Sequence, residues 1–358
     1  MDQLATYGWT DEFRRAWDKL ALPQLQPARV VADFGTSLKV ATLAAEDKTP
    51  IVISAELSGK LAHHSNREHV PKVGDWVAVR MQQADHAVVE GIVPRRSEIA
   101  RKVAGNRTVK QIIAANVDVA FVVISLDKDF SIERLKRFLY QLSVHAIAPV
   151  IVLNKADKTD DLESYMLQLT SLELPVIASV AKEGVGVQEI VRHIGQGKTA
   201  ILLGSSGVGK STLTNQLLGR ETQATQEVRE SDDTGKHTTV HRALFILPNG
   251  GLLIDTPGIR ELQLWGTEEE LDENFDDVAL LISQCKYPNC SHTTEEGCAI
   301  RPALASGQLD KTHYASYIKM KDELAGLKQK NTIRSRHNNQ RSHRSLNRQD
   351  RDRMRDDD

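Results

Sequence analysis

The octapeptide GSSGVGKS at 204–211 fits the pattern G-x-x-x-x-G-K-[ST], whose chemistry is polyphosphate binding. Gly204, Gly207 and Gly209 let the backbone turn inward, so that N–H groups from Gly204 through Ser205, Ser206, Val208 and on to Thr212 can surround phosphate oxygens. The Lys210 ammonium then reaches the β- and γ-oxygens, and the Ser211 hydroxyl is placed to ligate magnesium. A second tetrapeptide, NKAD at 154–157, supplies a base reader. The two carboxylate oxygens of Asp157 match the N1–H and exocyclic amino group of guanine. Adenine would set an acceptor against that charge and leave it unpaired, which disfavours an ATPase. Asn154 can hold the base and the neighbouring loops, and the Lys155 stem can cover the ring face. At the end of the next apolar run, ASV at 178–180 offers Ser179 and Val180, where a backbone N–H could approach the guanine carbonyl, with Lys182 nearby.

The tetrapeptide DTPG at 255–258 completes the phosphate end of this set. Asp255 is placed to hold magnesium through a water, and Gly258 to offer its N–H to the γ-phosphate. Between the two phosphate motifs lies DDTGKHTTV, 232–240, a polar stretch of switch-loop character. Thr238 and Thr239 both qualify to complete the magnesium shell; Thr239 is carried with Ser211 and Asp255 as the working ligand set. Many small GTPases orient the attacking water with a Gln just after the DTxG motif. Here that position is Ile259, which neither donates nor accepts. Slow hydrolysis by the isolated chain, raised by a partner, is therefore expected; His237 is the internal candidate for orienting water, the alternative being a loop histidine that contacts RNA. Further on, Cys285, Cys290, His292 and Cys298 are separated by four, one and five residues around Pro288 and Gly297. Three thiolates and one imidazole are a common tetrahedral set for one structural zinc.

These residues need elements to position them. Five short Val/Ile/Ala-rich runs between Arg29 and Val93 (RVVADFG, SLKVATLA, PIVISAEL, DWVAVRM, HAVVEGIV) read as a small closed barrel, of the oligonucleotide-binding or an SH3-like type. From about 112 to 268 apolar runs such as VAFVVISL, APVIVLN, LPVIASV, TAILLGS and GGLLIDTPG alternate with amphipathic helical patterns. That is the signature of a buried, mostly parallel sheet with ligand loops at its strand ends. The expected architecture is multidomain: a 1–27 extension, a five-stranded oligonucleotide-binding-type barrel at 28–105, an α/β P-loop domain at 112–268, a mainly helical zinc-binding subdomain at 272–325 and a disordered basic tail at 326–358. The chemistry-bearing parts occur as base reader, small-residue loop, phosphate loop, Thr loop, then DTPG. This is a cyclic rotation of the usual order, as a circular permutation would leave it.

The net charge is −2, but residues 328–355 hold ten Lys/Arg against two Asp, so the remainder carries −10. A basic tail on an acidic body points to an anionic partner, most simply nucleic acid. The run from Arg334 to Arg348 has no acidic residue, and HHSNREH at 63–69 adds a basic loop to the barrel. No apolar run approaches a membrane span, and the N-terminus has no secretory pattern, so a cytoplasmic protein is expected.

With the barrel, NKAD, GSSGVGKS, KHTT, DTPG and the cysteine cluster in this order, the sequence resembles the ribosome small subunit-dependent GTPase A family of circularly permuted GTPases. The resemblance covers roughly residues 28–325. It implies GTP hydrolysis stimulated by the small (30S) ribosomal subunit, a late role in that subunit's maturation, contact with its rRNA and a zinc at the cysteine cluster; a monomer is expected, although the sequence does not itself fix the oligomeric state. The alternative is a GTP/GDP-sensing RNA-binding protein that needs no hydrolysis.

Overall fold

A computed structural model describes residues 2–35, 37–44, 46–62, 70–102, 110–126, 130–219, 242–255 and 268–326. The chain divides into two units: Met1–Arg101 with Lys110–Gln263, and Lys102–Val109 with Leu264–Asp358.

In the first unit a 3₁₀ turn (Asp2–Tyr7) and helix α1 (Asp11–Leu20) precede β1 (Gln26–Asp33), β2 (Leu38–Leu43), β3 (Pro50–Leu57), the short helix α2 (Gly59–Ala62), β4 (Trp76–Gln83) and β5 (His86–Ile92). These five strands pair in the order β1-β2-β3-β5-β4, and β4 closes back on β1. Alternation drives the closure: along β3 the buried positions Ile53 and Ala55 alternate with exposed or half-buried ones. The result is the expected closed five-stranded barrel, with β3 and β5 parallel and the other pairs antiparallel.

A two-stranded ribbon, β6 (Glu98–Lys102) and β7 (Lys110–Ala115), leads to the α/β part. There follow β8 (Val119–Ser125), α3 (Ile132–Val144), β9 (Ala148–Asn154), α4 (Leu162–Leu169), β10 (Val176–Ser179), α5 (Val187–His193), β11 (Thr199–Leu203), α6 (Lys210–Leu218), β12 (Arg242–Ile246) and β13 (Leu252–Asp255). The sheet order is β10-β9-β8-β11-β13-β12, parallel except for β12. Its central strands β8, β9 and β11 are buried on both faces, β11 at every residue, which explains their continuous apolar runs. β12, which the sequence reading passed over, joins the two halves: Ala243 and Arg242 pair antiparallel with Ala32 and Asp33 of β1. Barrel and α/β sheet are thus one hydrogen-bonded sheet.

The N-terminal segment, to which the sequence assigned no chemistry, packs on the barrel. Trp9 and Phe13 lie against Trp76, the Trp9 and Trp76 rings 4.6 Å apart and edge-on, within a buried cluster that includes Trp17. Beneath it sits Arg29, which is 1% exposed. Its guanidinium donates to the carbonyls of Gly74 (3.0 Å), Tyr7 (2.7 Å) and Asn116 (3.3 Å) and to Thr199 Oγ1 (3.0 Å). One side chain therefore ties the N-terminus, barrel, linker and first residue of β11.

The second unit contains helices Glu268–Asn274, Asp276–Ser283 and Ile300–Ser306 and a further helix over 311–326. Phe275 stacks on His313 at 4.9 Å and packs against Tyr317, whose hydroxyl donates to Asp272 at 2.7 Å. Among the described residues no helix is long and apolar enough to cross a membrane.

Candidate nucleotide site and metal cluster

The parallel strands β8, β9, β10, β11 and β13 present their C-terminal ends on one edge of the sheet. Register sets Asn154 level with Ser125 and Ser179, and Ile254, just before Asp255, level with Ile201. The base tetrapeptide, the ASV loop, the phosphate loop and Asp255 are thereby gathered from four separate segments, as strand-end ligand loops are.

The phosphate loop bends through left-handed glycines, with φ of 143° at Gly204, 82° at Gly207 and 100° at Gly209. At two of them close approach adds to the conformational demand. A Cβ on Gly204 would meet the Val123 carbonyl oxygen at 2.2 Å, and one on Gly209 would meet Asn154 Nδ2 at 2.2 Å. Helix α6 begins at Lys210, with the half-buried Thr212 in its first turn and Ser211 exposed at the loop side. Lys210 Nζ donates to the carbonyls of Gly204 (2.7 Å) and Ser205 (2.6 Å), folded over its own loop. Ser206 and Gly207 are exposed, while the Val208 side chain is buried in the core under the loop.

Asn154, 1% exposed, is the hub of the site. Its Nδ2 donates to the Val208 carbonyl (2.7 Å), and its Oδ1 accepts from Ser179 Oγ (3.0 Å) and from the Ala181 N–H (3.1 Å). The side chain expected to hold neighbouring loops binds the base tetrapeptide to both of them, and Nδ2 keeps a second hydrogen. Lys155 sits in the left-handed region, at φ 59°. Asp157 is exposed at the loop surface, its carboxylate 2.8 Å from Lys158 Nζ. That hydrogen bond holds its pKa below the usual carboxylate value, with Lys182 adding a smaller electrostatic contribution. The Val180 N–H, expected to face a base carbonyl, donates instead to the Val185 carbonyl at 3.2 Å. Gly186 closes that turn, since a Cβ there would meet the Ala178 carbonyl oxygen at 2.4 Å.

In the second unit the Sγ atoms of Cys285, Cys290 and Cys298 and a ring nitrogen of His292 all lie within 4.8 Å of one another. His292 Nδ1 is 3.6 Å from both Cys285 Sγ and Cys298 Sγ. His292 adopts a left-handed backbone, φ 61°, so the chain doubles back within two residues of Cys290. Burial alone would push the Cys298 thiol up, but the N–H groups of Arg301 and Ile300, opening helix Ile300–Ser306, help carry it below its ordinary value. Three soft sulfur donors, of which Cys298 has its thiolate form favoured, and one imidazole make a set that can hold a metal ion.

The family model described as RsgA GTPase matches residues 92–265. The small ribosomal subunit biogenesis GTPase RsgA of Opitutus terrae is 38% identical over 335 residues, covering 90% of both chains. That of Xanthomonas axonopodis pv. citri is 40% identical over 334 residues, 90% of this chain and 88% of the relative. The chain belongs to the RsgA GTPase family. Its fold is also that of YjeQ from Thermotoga maritima (TM-score 0.60, 24% identity, 84% of this chain and 99% of that one). The structure described as YloQ, a circularly permuted GTPase, agrees (TM-score 0.58, 24% identity, 84% and 96%). The α/β sheet of this chain is circularly permuted as the motif order implied: base loop before phosphate loop along the chain, both at one sheet edge.

Several expected site residues of this RsgA-family chain lie outside the described residues: His237, Thr238 and Thr239 of the switch stretch, Gly258 and Ile259 after Asp255, the 63–69 loop, and the tail beyond 326. Asp255 is described, half-buried at the end of β13. Sequence reasoning missed one residue at the phosphate loop. Arg134, third in α3, donates from Nη1 to Ser205 Oγ at 2.8 Å. Its signal was its place in the first turn of a helix following a parallel strand. Such side chains lean back toward the helix N-terminus, and hence toward the ligand edge.

Proposed function

We infer that this chain binds guanine nucleotides and hydrolyses GTP to GDP and phosphate in biogenesis of the small ribosomal subunit, the activity its relatives' names state for them. The observation that carries the reading is Asn154, whose amide joins the base loop to the phosphate loop and to Ser179. A phosphate loop alone would serve any nucleoside triphosphate; one tied to a carboxylate-bearing NKAD loop serves guanine.

In this reading Asp157 accepts from the guanine N1–H and amino group, while Lys155 and the remaining N–H of Asn154 hold the base. Ser179 and Val180 border the guanine carbonyl. Backbone N–H groups from Gly204 to Thr212 surround the phosphates, Lys210 neutralises the β- and γ-oxygens, and Gly258 donates to the γ-phosphate. Magnesium, when bound, neutralises charge on those oxygens, and Ser211, Thr239 and Asp255 are the oxygen donors proposed to hold it. His237 orients the attacking water, since Ile259 can neither donate nor accept. One structural zinc is held by Cys285, Cys290, His292 and Cys298. The working domain limits are 28–105 for the barrel, 112–268 for the GTPase part and 272–325 for the zinc-binding part. The barrel, its 63–69 loop and the tail contact rRNA, and the protein acts as a monomer in the cytoplasm.

The decisive measurement is phosphate release from GTP against the concentration of purified 30S subunits. Turnover should be slow alone and rise, by roughly 10³-fold or more, to a plateau. A rate independent of subunits would remove the ribosomal role, and no hydrolysis in either condition would leave only nucleotide sensing. In the same assay His237→Ala should lose most of the stimulated rate; unchanged stimulated turnover would exclude its catalytic role.

A further inference from the structure

Ser205 is held from two sides. Its carbonyl and that of Gly204 accept from Lys210 Nζ at 2.6 and 2.7 Å, and its hydroxyl accepts from Arg134 Nη1 at 2.8 Å. Arg134 is itself anchored, because its backbone N–H donates to Ser131 Oγ, the N-cap of α3. A guanidinium on a capped first turn is a stiffer support than one on a loop.

The two cations must behave differently when a nucleotide arrives. An ammonium has three donors, and Lys210 spends two on the loop carbonyls. Reaching one β- and one γ-oxygen therefore requires it to release at least one carbonyl. At that moment the loop loses part of its internal bracing. The Arg134–Ser205 bond does not compete with phosphate, since the Ser205 hydroxyl is bound from the α3 side.

We propose that Arg134 is a positioning residue of the phosphate loop, holding Ser205 in place while Lys210 transfers from the loop carbonyls to the nucleotide phosphates. This rests on the nucleotide site of the proposed function. The bond stabilises the loop equally with GDP, GTP or the transition state bound, so its loss weakens binding uniformly. A charge acting on the transition state would instead alter kcat.

The test is titration calorimetry with GDP and with GTP, paired with 30S-stimulated steady-state kinetics. Arg134→Ala should raise Kd for both nucleotides about tenfold and raise KM in step, with kcat unchanged within about twofold. Arg134→Lys should recover part of the loss, as it retains the charge and can still donate to the Ser205 hydroxyl, without the planar fork of the guanidinium. Ser205→Ala should match Arg134→Ala, and the double variant should be no worse than either single one. Should Arg134→Ala fail to fold, Ser205→Ala and Arg134→Lys read the same bond. Equal affinities in wild type and variants, additive losses, or a fall in kcat at unchanged Kd would each overturn the assignment. If the unaltered protein bound neither nucleotide, the proposed function itself would fail instead.

Discussion

At the scale of single residues, the site is made by side chains whose neighbours leave them few alternatives. Asp157 is poised to stay ionised, its pKa lowered first by the Lys158 hydrogen bond. The preference for GDP over ADP should thus be flat from about pH 5 through neutrality, because a carboxyl held below the usual value of about 3.9 is already ionised there. A titration midpoint near pH 6 in that preference, in which the ionisation of the shared terminal phosphate cancels, would contradict this. Asp157→Asn exchanges one acceptor for a donor and should move preference from guanine to xanthine nucleotides; a variant still selective for GTP over XTP would show that another group reads the base. Gly209 makes a different demand. Alanine there must expel Asn154 Nδ2, breaking the tie to Val208, and must also adopt φ near 100°. Gly209→Ala should cost about 1–3 kcal/mol of stability and at least tenfold in nucleotide affinity. Thermal unfolding and GDP titration of this variant would check both, and wild-type values in both would refute the close approach.

At the scale of elements, the joint between barrel and α/β sheet is backbone pairing of β1 with β12, reinforced by the Arg29 guanidinium. Burial lowers the Arg29 pKa to about 10, which leaves it charged at neutral pH. Arg29→Met keeps the volume but strands three carbonyls and the Thr199 hydroxyl, so destabilisation of about 3–5 kcal/mol is expected in denaturant unfolding. Arg29→Lys should not rescue it, because one ammonium cannot span the four acceptors. A loss below about 1 kcal/mol would mean that the strand pairing alone carries the joint. In the proposed reading, a zinc at the cysteine cluster fixes the second unit in a comparable way. The two helices that flank the cluster are short, eight residues for Asp276–Ser283 and seven for Ile300–Ser306, so little of their stability comes from helix propensity. Chelation, or Cys290→Ser, should therefore unfold residues 268–326 while GDP binding to the first unit persists. Retained structure in that region by hydrogen exchange after metal removal would refute a structural metal.

At the scale of the whole molecule, an acidic body carries a basic tail. If the tail contacts rRNA, deleting 331–358 should flatten the dependence of log K on log salt for 30S binding by several units. An unchanged slope would show that the barrel and body make the phosphate contacts. The sequence foretold the five barrel strands because each is a short β-branched run closed by turn residues. It foretold the α/β part because buried parallel strands are continuous apolar segments. It passed over β12, whose Arg242–Ile246 run is only half-buried and so carries neither pattern cleanly.

The sequence by itself determined which groups can do chemistry: the glycines, Lys210, Ser211, Asp157 and Asp255, and the Cys3His set, each a short local pattern whose spacing already implies its ligand. It also determined the permuted order, since order is a property of the chain. Only the tertiary structure decided that Asn154 binds Val208 and Ser179, that Arg134 reaches Ser205 across 71 positions, and that Arg29 spans 170 positions to Thr199. The physical reason is that these are long-range hydrogen bonds of buried or half-buried side chains. Their partners follow from sheet register and helix placement, and no local spacing records them.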